Sequence, residues 1–348
     1  MQCHSYPVQT SQFSCKVSTS PHVSTSAFLD QPCSTTQASL GPQLSRQAGL
    51  APSFQNHPLD RTKPSIRLLS ILPDLATGGL IQCKLWHDEV TAQCDCLSYV
   101  WGSDNHEAIS QNQKHILVNG AKFRVRHNLY GFMMVARTKY AAPQHTFWID
   151  AICIDQNSVA ERNHQVAQMG SIYSNAREVI AWLGYSPRIE RALKYCLYFA
   201  RRNPQSQLEA WEIWNDRFSL MEEWTELQEH AYWRRAWITQ EIVSARRFKL
   251  LINHFEVEPV RFSAIGILLP NITLGKLFNT YLEVLCGKRS ITNLSLLDLL
   301  NEVPGRESQI PRDRIYSLLS IASDAATIPI DYASSDSSLF LSLLSIHR

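Results

Sequence analysis

The stretch that most constrains this chain is Phe147-Trp148-Ile149-Asp150-Ala151-Ile152-Cys153-Ile154. It is almost continuously apolar, the pattern of a central strand buried on both faces. Ser158-Val159-Ala160-Glu161 follows as a capping box, in which hydroxyl and carboxylate satisfy free amides at a helix start. Apolar groups then recur at Val159, Val166, Met169 and Tyr173, and Glu178 to Gly184 supplies a second apolar run. Strand, helix and strand in this order predict a βαβ unit and a parallel pair.

The flanks extend the same reading. Ile66 to Leu72 reads as a strand ended by Pro73, Leu80 to Leu85 as another after Gly78-Gly79, and Cys96 to Trp101 as a third, stopped at Gly102. Ile116 to Val118, Asn119-Gly120 and Phe123 to Val125 predict a hairpin, because Asn-Gly tolerates the positive φ angles of a type I′ turn. Asn128 is placed to cap a helix carrying Leu129, Phe132, Met133 and Ala136 on one face. Ser186-Pro187 opens a further helix, Leu208 to Ala245 is mostly helical and Trp-rich, Phe248 to Val257 forms a second hairpin, and helices follow. The expected class is α/β: a partly parallel central sheet with β-hairpins and a helical annex.

Composition divides the chain. The first sixty residues hold 16 Ser or Thr, 8 Gln and 6 Pro, and no Trp. So little apolar area does not offset the backbone entropy lost on folding, so residues 1–64 read as a disordered leader. Residues 65–260 are then the folded core and 261–348 a helical extension packed on it, with Leu339 to Ile346 resembling an unfinished helix and hence a curtailed end. A net charge of +2 gives no field to attract a polyanion, which argues against a nucleic-acid binder. There is no membrane-length apolar run and no signal-peptide core, so a cytoplasmic location is expected. Nine cysteines at irregular spacing imply reduced thiols. Cys83, His87, Cys94, Cys96 and His106 lack the paired spacing of zinc sites, so no metal is expected. Cys153 reads as a neutral core thiol, and no phosphate-loop or dinucleotide fingerprint calls for a cofactor.

Three separated blocks resemble the fungal heterokaryon incompatibility (HET) domain: Leu97-Ser98-Tyr99-Val100-Trp101-Gly102, the stretch from Trp148 to Gln156 continued through Glu161-Arg162 to Gly184, and Trp233-Arg234-Arg235-Ala236-Trp237-Ile238-Thr239-Gln240-Glu241. Weaker matches are Arg312-Asp313-Arg314-Ile315-Tyr316 and Ile330-Asp331-Tyr332. Asp155 stands where the family often has Asn, and Asn253-His254 where it frequently has Cys-Gly. The resemblance implies a TIR/flavodoxin-like sheet and a role in non-self recognition leading to programmed cell death. It would act as a signalling module that self-associates or docks on a protein partner through surfaces around the Trp-rich helices. The alternative it implies is a TIR-like NAD(P) glycohydrolase with NAD as substrate.

For that alternative a carboxylate must stabilise an oxocarbenium-like state. The candidates are Asp155, Glu241 and Glu161, while Trp101, Gly102, Asp150, Gln156, Arg235 and Gln240 are candidates for ligand binding. Asp150 and Asp155 are expected on and just past a strand's carboxyl end, where open α/β sheets bind ligands. Structural readings stand beside each: Glu161 as the capping-box acid, Asp150 as acceptor for a buried partner such as Arg235, Trp101 as a core aromatic, Arg235 in an internal salt bridge.

Overall fold

A computed structural model describes residues 51–102, 113–140, 145–202, 221–259 and 275–346. Most of the expected leader, and His106, Trp211 and Trp214, lie outside the described residues. Among the described residues the strands are β1 (Ser65–Leu75), β2 (Ile81–Glu89), β3 (Asp95–Tyr99), β4 (Gln113–Val118), β5 (Ala121–Arg126), β6 (Phe147–Trp148), β7 (Glu178–Trp182), β8 (Phe248–Ile252) and β9 (Phe255–Val257). They form one sheet in the order β5-β4-β2-β1-β6-β3-β7-β8-β9. The centre, β6-β3-β7-β8, is parallel, as is the β2-β4 pair. Antiparallel pairs join β1 to β2 and β6, β4 to β5, and β8 to β9, so the sheet is mixed.

The helices are α1 (His127–Lys139), α2 (Asp150–Cys153), α3 (Val159–Ala167), α4 (Met169–Asn175), α5 (Pro187–Arg202), α6 (Met221–Glu229), α7 (Ile238–Ser244), α8 (Lys276–Leu285), α9 (Leu296–Glu302), α10 (Asp313–Leu319) and α11 (Asp336–Ile346). Consecutive residues of a strand point to opposite faces. Phe147 meets Phe132 of α1 edge-on at 5.6 Å, and its neighbour Trp148 meets Tyr173 of α4 at 5.7 Å, so the two helices cover opposite faces of the sheet. Trp148 and Trp182 are fully buried, and burial of one such aromatic stabilises the fold by about 3 kcal/mol. Cys83, Cys94, Cys96 and Cys153 are free thiols in this core, and burial pushes Cys153 up to about 12.

Several sequence expectations need correction. The apolar run does not remain a strand: only Phe147 and Trp148 pair, and the chain turns at Ile149 into α2. An apolar run looks the same whether it is a buried strand or a buried helical turn. Here Cys153 is sealed in by packing, and its carbonyl accepts from Arg67 of β1 at 2.9 Å. β6 and β7 are parallel but unpaired, because β3 lies between them. β1 runs past Pro73, which falls where the β1-β2 register shifts between Ile71 and Leu75 and no ladder donor is needed. Asn128 does not cap α1; its side chain donates to Val100 O at 2.7 Å and accepts from Trp182 Nε1 at 2.9 Å. The helix after Ser158 breaks at Gln168 into α3 and α4.

The hairpin β4-β5 forms as read, with Asn119 and Gly120 at φ 51° and 81°. The expected leader boundary at residue 64 is too late. Ser53 bridges to Lys122, Phe54 packs on Phe123 at 5.6 Å and Leu59 is buried, so the segment after residue 50 belongs to the folded unit.

The annex is tied to the core through the third sequence block. Phe278 of α8 packs on Trp233 at 5.0 Å, and Tyr281 shares a hydrogen bond with Thr239 at 2.8 Å. Ala236 N donates to Glu307 O at 2.8 Å. Arg306, only 4% exposed, donates to the carbonyls of Val303, Ala236 and Arg314 and to Ser317 Oγ.

Candidate functional site

At the carboxyl ends of β3 and β6 opens a cavity of about 750 Å³. The location is where ligands bind in open α/β sheets, and the size suits a small organic molecule. β3 delivers Trp101 and Gly102, β6 delivers Asp150, and α3 delivers Arg162. Arg235 and Trp237 come from the chain entering α7, while the annex closes the far side with Ile310, Asp313 and Tyr332.

The local backbone explains how Asp150 reaches the cavity. Ile149 is extended at φ −130° and ψ 109°, and Asp150 starts a helical turn whose first free amide, Ala151 N, it caps at 2.7 Å. Trp101 Nε1 donates to both carboxylate oxygens, at 3.3 and 3.1 Å. Gln156 Nε2 holds the Asp150 carbonyl at 2.9 Å. Gly102 adopts φ 91°, open to glycine without penalty, and Arg126 donates to the carbonyls of Trp101 and Gly102 at 3.3 and 3.1 Å. Burial raises the Asp150 carboxyl to about 6, with the Arg235 charge opposing and Glu241 adding to the rise.

Behind this mouth lies a buried polar network. Glu241, without exposed surface, accepts from the Ser98 hydroxyl and from both terminal nitrogens of Arg235 at 3.4 Å. Tyr232 OH stands 2.7 Å from Ser98 Oγ, and since Ser98 spends its proton on Glu241, Tyr232 is the donor. On the annex side Tyr332 donates to Asp313 Oδ1 at 2.6 Å, and the Arg162 guanidinium lies 4.4 Å over the Tyr332 ring. Burial raises the Asp313 carboxyl, opposed by its bonds from Tyr332 and Trp237.

The structure brings Trp101, Gly102, Asp150, Gln156 and Arg235 to one cavity. Gln240 and Glu241 sit behind it, fully buried. Asp155 and Glu161 are not among its walls. Glu161 is occupied by Arg67 and by Asp155 N, the latter at 2.7 Å, so its carboxylate caps the amide of Asp155 rather than that of Ser158. The Asp155 carboxylate accepts from Asn157 N at 3.1 Å. Asp150 takes its hydrogen bonds from Trp101 and Ala151, while Arg235 acts on it through charge.

The third block is not one helix. A 3₁₀ turn, Ala231–Arg234, is followed by extended Arg235 at φ −61° and ψ 134°, and only then by α7. Trp233 therefore enters the core and Trp237 faces the cavity. Trp224 is also buried, so neither Trp224 nor Trp233 offers a docking surface. Arg162, Trp237, Asp313 and Tyr332 were not read as site residues; their signal was membership in the resembling blocks.

Among the described residues no three His, Cys, Asp or Glu side chains gather as a metal site, and no helix is long and apolar enough to cross a membrane. Residues 95–241 match the family model of the heterokaryon incompatibility protein (HET). Over 147 residues the chain is 30% identical to heterokaryon incompatibility protein 6, OR allele, of Neurospora crassa, which is 39% of this chain and 21% of that protein. The chain thus spans about a fifth of that relative's length. No solved structure gives a significant match, and the TIR/flavodoxin likeness remains an implication of the sequence resemblance. The family match contains the parallel strands β3, β6 and β7 together with every candidate named from sequence, so the stretch from residue 95 to 241 is what this chain shares with the heterokaryon incompatibility family.

Proposed function

We propose that this chain acts in fungal heterokaryon incompatibility, as a signalling module whose engagement with a protein partner or a second copy of itself leads to programmed cell death. The carrying observation is that the family match at residues 95–241 covers the parallel centre of the sheet and the core wall of the cavity. The similarity to the Neurospora protein points the same way. NAD hydrolysis is left out of this reading, since neither similarity names it and Asp155, Glu161 and Glu241 are not cavity walls.

The test is inducible expression of the full chain in a filamentous fungus, with vital-dye counting of hyphal compartments. Induction is expected to kill compartments, and an Arg235→Ala chain, which uncouples the cavity mouth from Glu241, to kill fewer. Full viability at confirmed expression would overturn the reading.

A further inference from the structure

The polar groups around the cavity are unequally satisfied. Its acids already have donors: Asp150 takes Trp101 Nε1 and Ala151 N, and Asp313 takes Tyr332 OH. The buried Glu241 behind them takes Ser98 and Arg235. Arg162 differs. Its guanidinium lies 4.4 Å over the Tyr332 ring, its Nε is buried without a hydrogen-bond partner, and among the described residues no carboxylate makes a direct ion pair with it, Asp313 acting on it through charge alone. An arginine fork in a low-dielectric cleft is best satisfied by a carboxylate or phosphate. Three partly buried aromatic rings, Trp101, Trp237 and Tyr332, line the same cavity, with Arg126 5.6 Å over one face of Trp101 and Arg162 over one face of Tyr332. Such a lining favours a flat ring, and about 750 Å³ is room for a molecule of that kind.

We propose that this cavity is a binding site for a planar aromatic molecule bearing an anionic group, with Arg162 receiving the anion and Trp101, Trp237 and Tyr332 contacting the ring. Ile310, Asp313 and Tyr332 lie beyond the family match at residues 95–241, so the annex supplies part of the site. The same chemistry is shared by a phosphorylated nucleoside and by an aromatic carboxylic acid. The inference concerns binding and stands independently of the incompatibility reading.

Calorimetric titration of the full chain tests it, with AMP and 2-naphthoate as ring-plus-anion probes, adenosine as ring alone and inorganic phosphate as anion alone. At least one ring-plus-anion probe is expected to bind, and adenosine and phosphate to bind at least about tenfold more weakly, the scale of one lost charge-assisted bond. Which of AMP and 2-naphthoate binds tells the phosphate source from the carboxylate source. Arg162→Met should weaken the bound probe by about tenfold or more, while Arg162→Lys restores part of the affinity. Ile310→Trp should block the cavity with Arg162 intact, and decides the matter if Arg162→Met fails to fold by circular dichroism. No heat from either probe at millimolar concentration, phosphate binding as tightly as AMP, or affinity unchanged in the folded variants would each overturn the proposal.

Discussion

Arg67 on β1 and Glu161 on α3 form a buried bidentate ion pair, with Arg67 NH1 and NH2 at 2.5 and 2.9 Å from the two carboxylate oxygens. The same guanidinium donates to the carbonyls of Cys153 and His57, so one side chain, 1% exposed, joins the first strand, the turn after β6, helix α3 and the segment before β1. Glu161 therefore has a structural occupation. Burial alone would raise its carboxyl, but the bonds from Arg67 and Asp155 N outweigh it and hold the group below the ordinary value.

Glu161→Gln is expected to cost about 3 kcal/mol, the scale of breaking a buried pair and leaving one charge uncompensated. Urea unfolding measures it. Since the carboxyl is held low in the folded state, its contribution is present above the unfolded value of about 4.3 and is lost as pH falls through the folded one. Probe binding in the cavity should be unchanged in the folded variant, whereas a catalytic or ligating Glu161 would make it fall.

Asp150 gives the opposite sign. Its carboxyl is raised to about 6 by burial, so its contribution to stability is fully present below the unfolded value of about 3.9 and declines as pH rises through 6. Asp150→Asn removes the ionised form and should raise Tm at pH 8, by an amount equivalent to at most roughly 3 kcal/mol, with the gain falling to about half near pH 5 and vanishing below about pH 4. Thermal melts across pH check this, and a gain independent of pH would refute the assignment.

Arg306 should matter through neutral acceptors. It donates to three carbonyls and Ser317 Oγ, and burial lowers its pKa. Arg306→Met would leave these acceptors without their donor, a loss of about 2–3 kcal/mol. Hydrogen exchange should accelerate in α9 and α10 more than in β3 and β7, because three of the four bonds lost join the end of α9 to α10 within the annex and one, to Ala236 O, ties the annex to the core.

Gly170 marks a close approach between α4 and the residue after α10. A Cβ there would stand 2.8 Å from Ser320 Cβ and 3.3 Å from Gln240 Nε2. Gly170→Ala should destabilise by about 1–3 kcal/mol, as overpacking does, and Ser320→Gly in the same chain should return part of the loss. Denaturation of the two single variants and the double variant gives the coupling directly.

Much of the sheet was readable from local pattern. The Asn119-Gly120 turn, the hairpin at Asn253 and the strands around Leu97 and Ile180 depend on turn chemistry and period, which neighbouring residues encode. The turn at Asp150 was not readable, because Ile152 and Cys153 are buried either way. The break at Arg235 was also hidden: the residues from Trp233 to Glu241 suit a helix, yet Ala236 N bonds to Glu307 of the annex instead.

By itself the sequence determined the α/β class, the resemblance that marks the family, and five residues that share a cavity: Trp101, Gly102, Asp150, Gln156 and Arg235. Tertiary structure alone decided which carboxylates face that cavity and which are consumed inside. Glu161 and Glu241 are as acidic in the sequence as Asp150. Arg67, 94 residues before Glu161, and Ser98, 143 residues before Glu241, claim them. Such partners are set by which strands lie side by side, and a charge buried without a partner is too unfavourable for the fold to leave it so.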